Sequence, residues 1–382
     1  MKAPRVAVVT TEPTASRVPQ FDLLARRTDL DLMVFYAAET VQRRQWSLAL
    51  DHPHEILRGP SIPATRLLHH DYPITPSLWR KLAEGAFDCV VVWGWSTFAA
   101  QLAIAWARTR HVPYVLFSES HLAEPRHAVV RALKRLAVPT AVRPAANWLA
   151  TGTLARQHLV AYGADPARIR TFANTIDVAA LAARIDELRP KRGELRRALG
   201  FAPDDVVVLF AGRLLPVKGP DVLLDAAARV PGIKLLVAGD GPLRSQLERD
   251  AARAGVAATF TGFLSRDGLM EAFTAADVFA LTSRRETWGV VVTEAAASGL
   301  PLVLTDTVGA AFDLLEPGAN GLRVGSGDAG ALAGALAELA ADRAARERFG
   351  ARSRELAAAW GYGPSNDAFA AAVHDAVTRR GK

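Results

Sequence analysis

Alternation is the feature that most constrains this chain. Short β-rich runs are separated by longer Ala/Leu/Arg-rich stretches with helical spacing, and the pattern occurs twice. In the first series the strand candidates are residues 5–10, 32–36, 88–93, 114–118, 147–150 and 169–172. In the second they are residues 206–210, 233–238, 257–261, 277–281, 301–305 and 321–324. Amphipathic runs lie between them, at 99–110 and 153–162, then at 220–229, 242–254, 265–275 and 288–298. Near-continuous apolar strands joined by helices form parallel sheets covered on both faces. Two series predict two doubly wound α/β domains, and 382 residues suffice for both. The boundary is expected after Asn174-Thr175-Ile176-Asp177, giving a first domain over 1–177. Residues 178–205 carry Pro190, Gly193, Pro203 and dense charge, and read as a short helix plus linker. The second domain is expected over 206–360, and everything from 325 to 382 reads as helical.

Composition narrows the function classes. No run approaches the roughly 18 apolar residues that a spanning helix needs, and the N-terminus lacks the pattern of a signal peptide, so the cytoplasm is the expected compartment. The single cysteine, Cys89, falls in an apolar run and is expected in the core. The net charge of +7 is uneven: residues 1–190 hold 23 Lys/Arg against 16 Asp/Glu. A basic surface attracts anionic lipid or an acidic substrate, or serves solubility alone. The segment 126–136, with Arg131, Lys134 and Arg135, has the form of a basic amphipathic helix, which fits either a peripheral contact with anionic membrane or a solvated face. No nucleic-acid-binding motif is present.

Ligands of open parallel sheets bind at the carboxyl ends of strands, so the loops there carry the chemistry. After 206–210 comes Gly212-Arg213, then Lys218-Gly219. Two cations at one loop suit a pyrophosphate, whose charge grows as a glycosyl bond breaks; they also suit a solvated loop. After 233–238 comes Gly239-Asp240-Gly241-Pro242, either a phosphate-approach turn or simply a tight turn. After 277–281 comes Glu286, then Gly289 and Val290 at a helix start, and Glu294 among Ala295, Ala296 and Ala297. A carboxylate on such an apolar helix needs partners, and sugar or ribose hydroxyls would serve.

Taken together, Gly212-Arg213…Lys218-Gly219, Gly239-Asp240-Gly241-Pro242 and Glu286-x7-Glu294 with Gly299-x-Pro301 resemble the family-4 glycosyltransferases over residues 206–305. Asn174-Thr175-Ile176-Asp177 is similar to the family's domain-closing motif. The resemblance implies a GT-B fold with its active site between two Rossmann-like domains, the first on the acceptor side, and a terminal helix over 361–382 that returns to the first domain. It implies a retaining, metal-independent transfer with no cofactor, from a nucleoside-diphosphate sugar to a glycan, lipid-linked or small-molecule hydroxyl. By the same resemblance Arg213 and Lys218 hold the diphosphate, and Glu294 holds the ribose. Glu286 holds the transferred sugar, amides near Gly289 and Val290 add to the phosphate site, and Phe263 and Leu264 lie by the base.

Two loops depart from the family. The loop after the first strand, Thr10 to Arg17, lacks the family's glycine pair. The family histidine after strand 114–118 is replaced by Glu119, and either Glu119 or His121 is a candidate for contact with the reacting centre.

Other signals are read as structural. Asp29-Leu30-Asp31 fits an Asp-x-Asp metal signature but precedes a strand, so it reads as a turn. His52-Pro53-His54 and His69-His70 read as surface histidines. Trp93-Gly94-Trp95 suits either sugar stacking or core packing. The competing functions are a sugar-nucleotide epimerase of the same layout and a non-catalytic nucleotide-sugar binding protein.

Overall fold

A computed structural model describes residues 2–40, 48–62, 72–121 and 128–380, without the side chains of 128–133. The chain divides into two compact units. Unit 1 comprises Met1–Asn174 with Tyr362–Lys382, and unit 2 comprises Thr175–Gly361.

Unit 1 is built on a parallel sheet of β1 (Arg5–Thr10), β2 (Asp31–Tyr36), β3 (His54–Ile56), β6 (Cys89–Trp93), β7 (Tyr114–Ser118), β8 (Asn147–Ala150) and β9 (Ile169–Thr171). Their spatial order is β3-β2-β1-β6-β7-β8-β9, and β4 (Ser61–Ile62) pairs antiparallel with β5 (Tyr72–Pro73) outside it. Side chains alternate across the sheet. Val6 and Val8 of β1 face one core with Phe369 and Val373 of the helix Tyr362–Arg380, while Ala7 and Val9 face the other. Cys89 is buried in the core of Val6 and Val8, and burial pushes its thiol up to about 12, so it behaves as a small apolar side chain.

Unit 2 repeats the design with β10 (Val206–Ala211), β11 (Ile233–Ala238), β12 (Ala258–Gly262), β13 (Val278–Leu281), β14 (Leu302–Thr305) and β15 (Gly321–Val324). These six parallel strands run β12-β11-β10-β13-β14-β15. In both units the order reverses beside the first strand, between β1 and β6 and between β10 and β13. Helices leave the sheet in opposite directions at such a point, which opens a crevice at the carboxyl ends.

Three expectations need correction. Residues 178–205 are not a linker. They form the helices Val178–Leu188 and Arg192–Ala198, and Val178, Leu181, Ile185 and Leu188 bury one stripe in the unit 2 core. The dense charge that suggested a linker is in part directed inward. Arg192 donates to the Thr274 carbonyl at 2.9 Å and to Asp277 at 2.7 Å, and buried Arg196 donates to the Ala275 carbonyl at 2.9 Å and also pairs with Asp277. These guanidinium groups satisfy carbonyls left open at the end of the helix Arg266–Ala275. Second, β3 and the β4–β5 pair were not expected. Third, His52 is not a surface histidine: it is buried, with Nδ1 2.6 Å from Asp22 and Nε2 2.9 Å from the Tyr36 hydroxyl. His54 on the edge strand is exposed as expected, and His69 and His70 lie outside the described residues.

Candidate functional site

In unit 2 the loops after β10 and β13 flank the crevice, and the structure laces them together. Lys218 ends the 3₁₀ turn Pro216–Lys218, and Gly219 follows in the left-handed region at φ +63°. A Cβ on Gly219 would lie 2.2 Å from the Thr282 carbonyl oxygen, so only glycine lets the loop seat on the end of β13. The Thr282 hydroxyl donates to the Gly219 carbonyl at 2.7 Å, and the Arg284 amide donates to the Val217 carbonyl at 2.8 Å. The Arg284 guanidinium forks onto Asp221 at 2.9 and 2.5 Å, a bidentate charge-assisted pair that fixes the two loops in register. Neither Arg284 nor Asp221 was singled out from sequence. They lie 63 residues apart, and only the adjacency of β10 and β13 brings them together.

This lacing brings Lys218 to Glu286. The ammonium donates to the Glu286 carboxylate, and the two side chains are 19% and 16% exposed. The Glu286 backbone is held in turn: its amide donates to the Thr307 carbonyl at 3.2 Å and its carbonyl accepts from the Gly309 amide at 3.0 Å. Gly289 follows at φ +94° and begins the helix Val290–Ala297, which no side chain caps. Its first amides therefore face the crevice edge unpaired by the helix, with the positive end of its dipole.

The remaining expected residues distribute along the same edge. Arg213 is exposed and has no ion pair among the described residues. Gly212 sits beneath Gly239, where a Cβ would meet the Gly212 carbonyl oxygen at 1.9 Å; one on Gly241 would meet the Leu214 carbonyl oxygen at 2.6 Å. The two glycines thus allow the β11 loop to lie directly on the β10 loop, a packing requirement whatever else they do. Phe263, at the end of edge strand β12, is 87% exposed, and Leu264 beside it is half-buried. Strands lie about 4.8 Å apart, so the loops after β12, β11, β10 and β13 form a row of roughly 15 Å, with Phe263 at one end and Glu286 at the other.

Glu294 stands on the helix Val290–Ala297 with buried Ala295, Ala296 and Ala297. No described residue donates a hydrogen bond to its side chain. Burial pushes its carboxyl up to about 7, against a weaker pull from Arg266. A carboxylate kept partly desolvated and unpaired gains from any hydroxyl that reaches it.

In unit 1, Glu119 follows β7 and is bonded by Arg17 at 3.0 Å. Arg17 was read only as the end of the loop after β1. Its guanidinium is buried, bonds the Gln20 side chain at 2.8 Å and the Ala173 carbonyl at 2.6 Å, and lies 4.7 Å from the ring centres of both Phe117 and Phe172. Burial lowers its pKa, and Glu119 opposes that shift. His121 is buried beside the residues 122–127 that are not described. Trp93 joins the aromatic core, 4.2 Å from Phe117, whereas Trp95 stacks on His158 at 5.4 Å. Asp29 is paired with Arg27 at 2.8 Å, which holds its carboxyl down near about 2, and Asp31 lies 3.6 Å from Arg5. Of the basic helix, only the later part, including Lys134 and Arg135, has described side chains; 126–127 lie outside the described residues. Among the described residues no helix is long and apolar enough to cross a membrane.

Comparison with known proteins bears on the family and the fold. A model described as "Glycosyltransferase Family 4" matches residues 24–180, and one described as "Glycosyl transferases group 1" matches residues 191–356. The chain is 38% identical over 194 residues to D-inositol 3-phosphate glycosyltransferase of Mycobacterium tuberculosis, covering 48% of this chain and 38% of that protein. The match therefore spans well under half the length of that relative. Among solved structures, Anabaena HepE in complex with UDP is similar at a TM-score of 0.74 and 21% identity, covering 96% of this chain and 98% of that one. Sucrose-phosphate synthase of Thermosynechococcus elongatus is similar at 0.69 and 18%, covering 94% and 95%. At such identities the structures speak for the fold, and the fold is GT-B. The two family models, the motifs at the strand ends and the paired Rossmann-like sheets converge: the chain belongs to the family-4 glycosyltransferases.

Proposed function

We propose that this protein moves a sugar from a nucleoside-diphosphate sugar to a hydroxyl acceptor, with retention of anomeric configuration and without a metal ion. The observation that carries the reading is the arrangement along one edge of unit 2: Lys218 on Glu286, an uncapped helix start at Gly289 and Val290, unpaired Arg213, and hydroxyl-ready Glu294. Arg213, Lys218 and the helix terminus supply positive charge where a departing diphosphate accumulates negative charge. Glu286 receives hydroxyls of the transferred sugar, Glu294 those of the ribose, and the exposed Phe263 ring offers the base a face, with Leu264 beside it. Gly212, Gly239 and Gly241 keep the backbone low enough for the ligand to approach.

In the step itself the bond from the anomeric carbon to the diphosphate oxygen breaks. A bond from that carbon to the acceptor oxygen forms on the same face, and the acceptor's proton passes to the diphosphate. Unit 1 is assigned the acceptor, with Glu119 oriented by Arg17 and His121 nearby in sequence as its candidate groups. HepE was solved with UDP and with UDP-glucose, so uridine diphosphate sugars are the first donors to test. A thermal-shift screen of nucleoside diphosphates and their sugars identifies the donor, because stabilisation grows with ligand concentration over its dissociation constant. Transfer in the presence of chelator, with the product anomer read by NMR, then tests the reaction. An inverted product overturns retention, and donor epimerised without acceptor replaces transfer by isomerisation.

A further inference from the structure

An open, charged hollow lies in unit 1, at the amino ends of its strands and so at the edge of the sheet opposite to the loops after β1, β6 and β7. It offers about 560 Å³, open to solvent, between the start of β7, the residues before β8, the turn Pro166–Arg168 and the end of the helix Tyr362–Arg380. Val112, Pro113, Tyr114, Pro144, Ala146 and Ala376 give it an apolar floor. Arg108, Arg168, Arg379, Arg380 and His111 line it, and among the described residues no carboxylate does.

Among the described residues the charge there is not balanced. Arg108, Arg379 and Arg380 make no ion pair among the described residues. Among the described residues, Arg168 is met by the neutral Asn147 side chain at 3.2 Å and the Trp148 ring at 5.2 Å. The carboxylates felt by Arg168 are Asp165 and Asp375. Asp375 is already paired with Arg170, and Asp165 accepts from the Ala167 amide at 3.0 Å. Among the described residues, the four lining guanidinium groups and Arg170 behind them thus meet two carboxylates. The helices Phe98–Thr109 and Tyr362–Arg380 both end here and together contribute about one negative charge from their dipoles. A positive excess remains. Arg168 registers the crowding: burial and Arg379 both lower its pKa. Across the molecule, unit 1 holds 24 Lys/Arg against 15 Asp/Glu, while unit 2 holds 22 against 24. The net positive charge of the protein therefore belongs to the unit that carries this cavity.

We propose that this cavity binds a soluble oligophosphate anion, independently of the donor site in unit 2. Guanidinium groups on several walls match a ligand with more than one phosphate. The volume falls within the range of small-molecule sites.

The test is calorimetry with inorganic tripolyphosphate at low salt, on the full chain. Arg108→Gln with Arg379→Gln alters two exposed side chains and leaves Arg168 against Trp148. The pair is expected to weaken tripolyphosphate binding by at least about tenfold, since a lost charged hydrogen bond is worth roughly one to two orders of magnitude. Arg213→Gln with Lys218→Gln removes the diphosphate contacts assigned to the donor site in unit 2 and is expected to leave binding at the unit 1 hollow in place. Equal binding by the Arg108/Arg379 variant, or loss confined to the Arg213/Lys218 variant, overturns the proposal. So does an absence of binding to the wild type at millimolar tripolyphosphate. In a parallel arm with vesicles of anionic phospholipid, binding lost on Arg108→Gln with Arg379→Gln, with no response to free tripolyphosphate, would make the cavity a lipid contact and likewise overturn it.

Discussion

The ammonium of Lys218 rests on the carboxylate of Glu286, 68 residues further along the chain, where the loops after β10 and β13 meet at the strand-order reversal. Lysine has three N–H donors, so Lys218 can keep Glu286 in place while donating to a phosphate. In this reading one residue joins the part of the site that meets the diphosphate to the part that meets the sugar.

That relationship has a stability signature. Lys218→Ala leaves a carboxylate that is 16% exposed without its counter-charge, at an expected cost of about 1–3 kcal/mol. Adding Glu286→Gln should return most of the loss, because the orphaned charge is gone. Chemical denaturation of the single and double variants measures this. Additive losses would mean that the two side chains do not stabilise one another.

Glu294 predicts a pH dependence. Its carboxyl titrates near about 7 in the folded protein, against 4.5 for the ordinary group, because burial disfavours its charge. Between those values the native state holds a proton that the unfolded chain has released, so its contribution to stability falls as pH rises. Glu294→Gln removes the term. Without ligand the variant should match the wild type near pH 4.5, gain on it as pH rises toward 7, and stay ahead above that. Paired melting curves across pH read the difference, and a gap independent of pH would contradict the assignment.

Arg17 predicts a failed conservative substitution. Its guanidinium lies 4.7 Å from the ring centres of both Phe117 and Phe172, two rings set edge to face, while bonding Gln20, Ala173 and Glu119. A lysine cannot reproduce a planar fork that packs on these rings and bonds three partners. Arg17→Lys should therefore destabilise unit 1 by about 2 kcal/mol or more, and Arg17→Ala by more still. A Lys variant of wild-type stability would show that only the charge matters there.

The chelation test concerns Asp29 and Asp31. Asp29 is committed to Arg27 and Asp31 neighbours Arg5. Activity should survive chelator and the double change Asp29→Asn, Asp31→Asn. A strict need for magnesium or manganese would set aside the cationic cradle.

Much of the architecture was legible because a buried parallel strand is a continuous apolar run: β1, β7, β8, β11 and β15 match their expected spans. The strand His54–Ile56 escaped because three residues on a sheet edge, two of them polar, carry no such signal. The helix Val178–Leu188 was half seen. Its apolar residues at 178, 181, 185 and 188 keep helical spacing, but the charges around them suggested solvent, and Arg192 and Arg196 proved to point at carbonyls instead. Motifs gave the loops of the site. They did not give the Lys218–Glu286 and Arg284–Asp221 pairs or the seat of Arg17, since these depend on which strands lie side by side.

The division of labour between cations and carboxylates is tested most directly by calorimetry of uridine diphosphate and a uridine diphosphate sugar, once the screen has named it, on four alanine variants. Glu294→Ala should weaken both ligands, because both carry the ribose. Arg213→Ala and Lys218→Ala should weaken both and reduce turnover further, because the leaving charge peaks in the transition state. Glu286→Ala should leave uridine diphosphate bound at least as tightly, Lys218 being freed, while weakening the sugar nucleotide by roughly 10- to 100-fold. Equal weakening of both ligands by Glu286→Ala would contradict the assignment of that carboxylate to the transferred sugar.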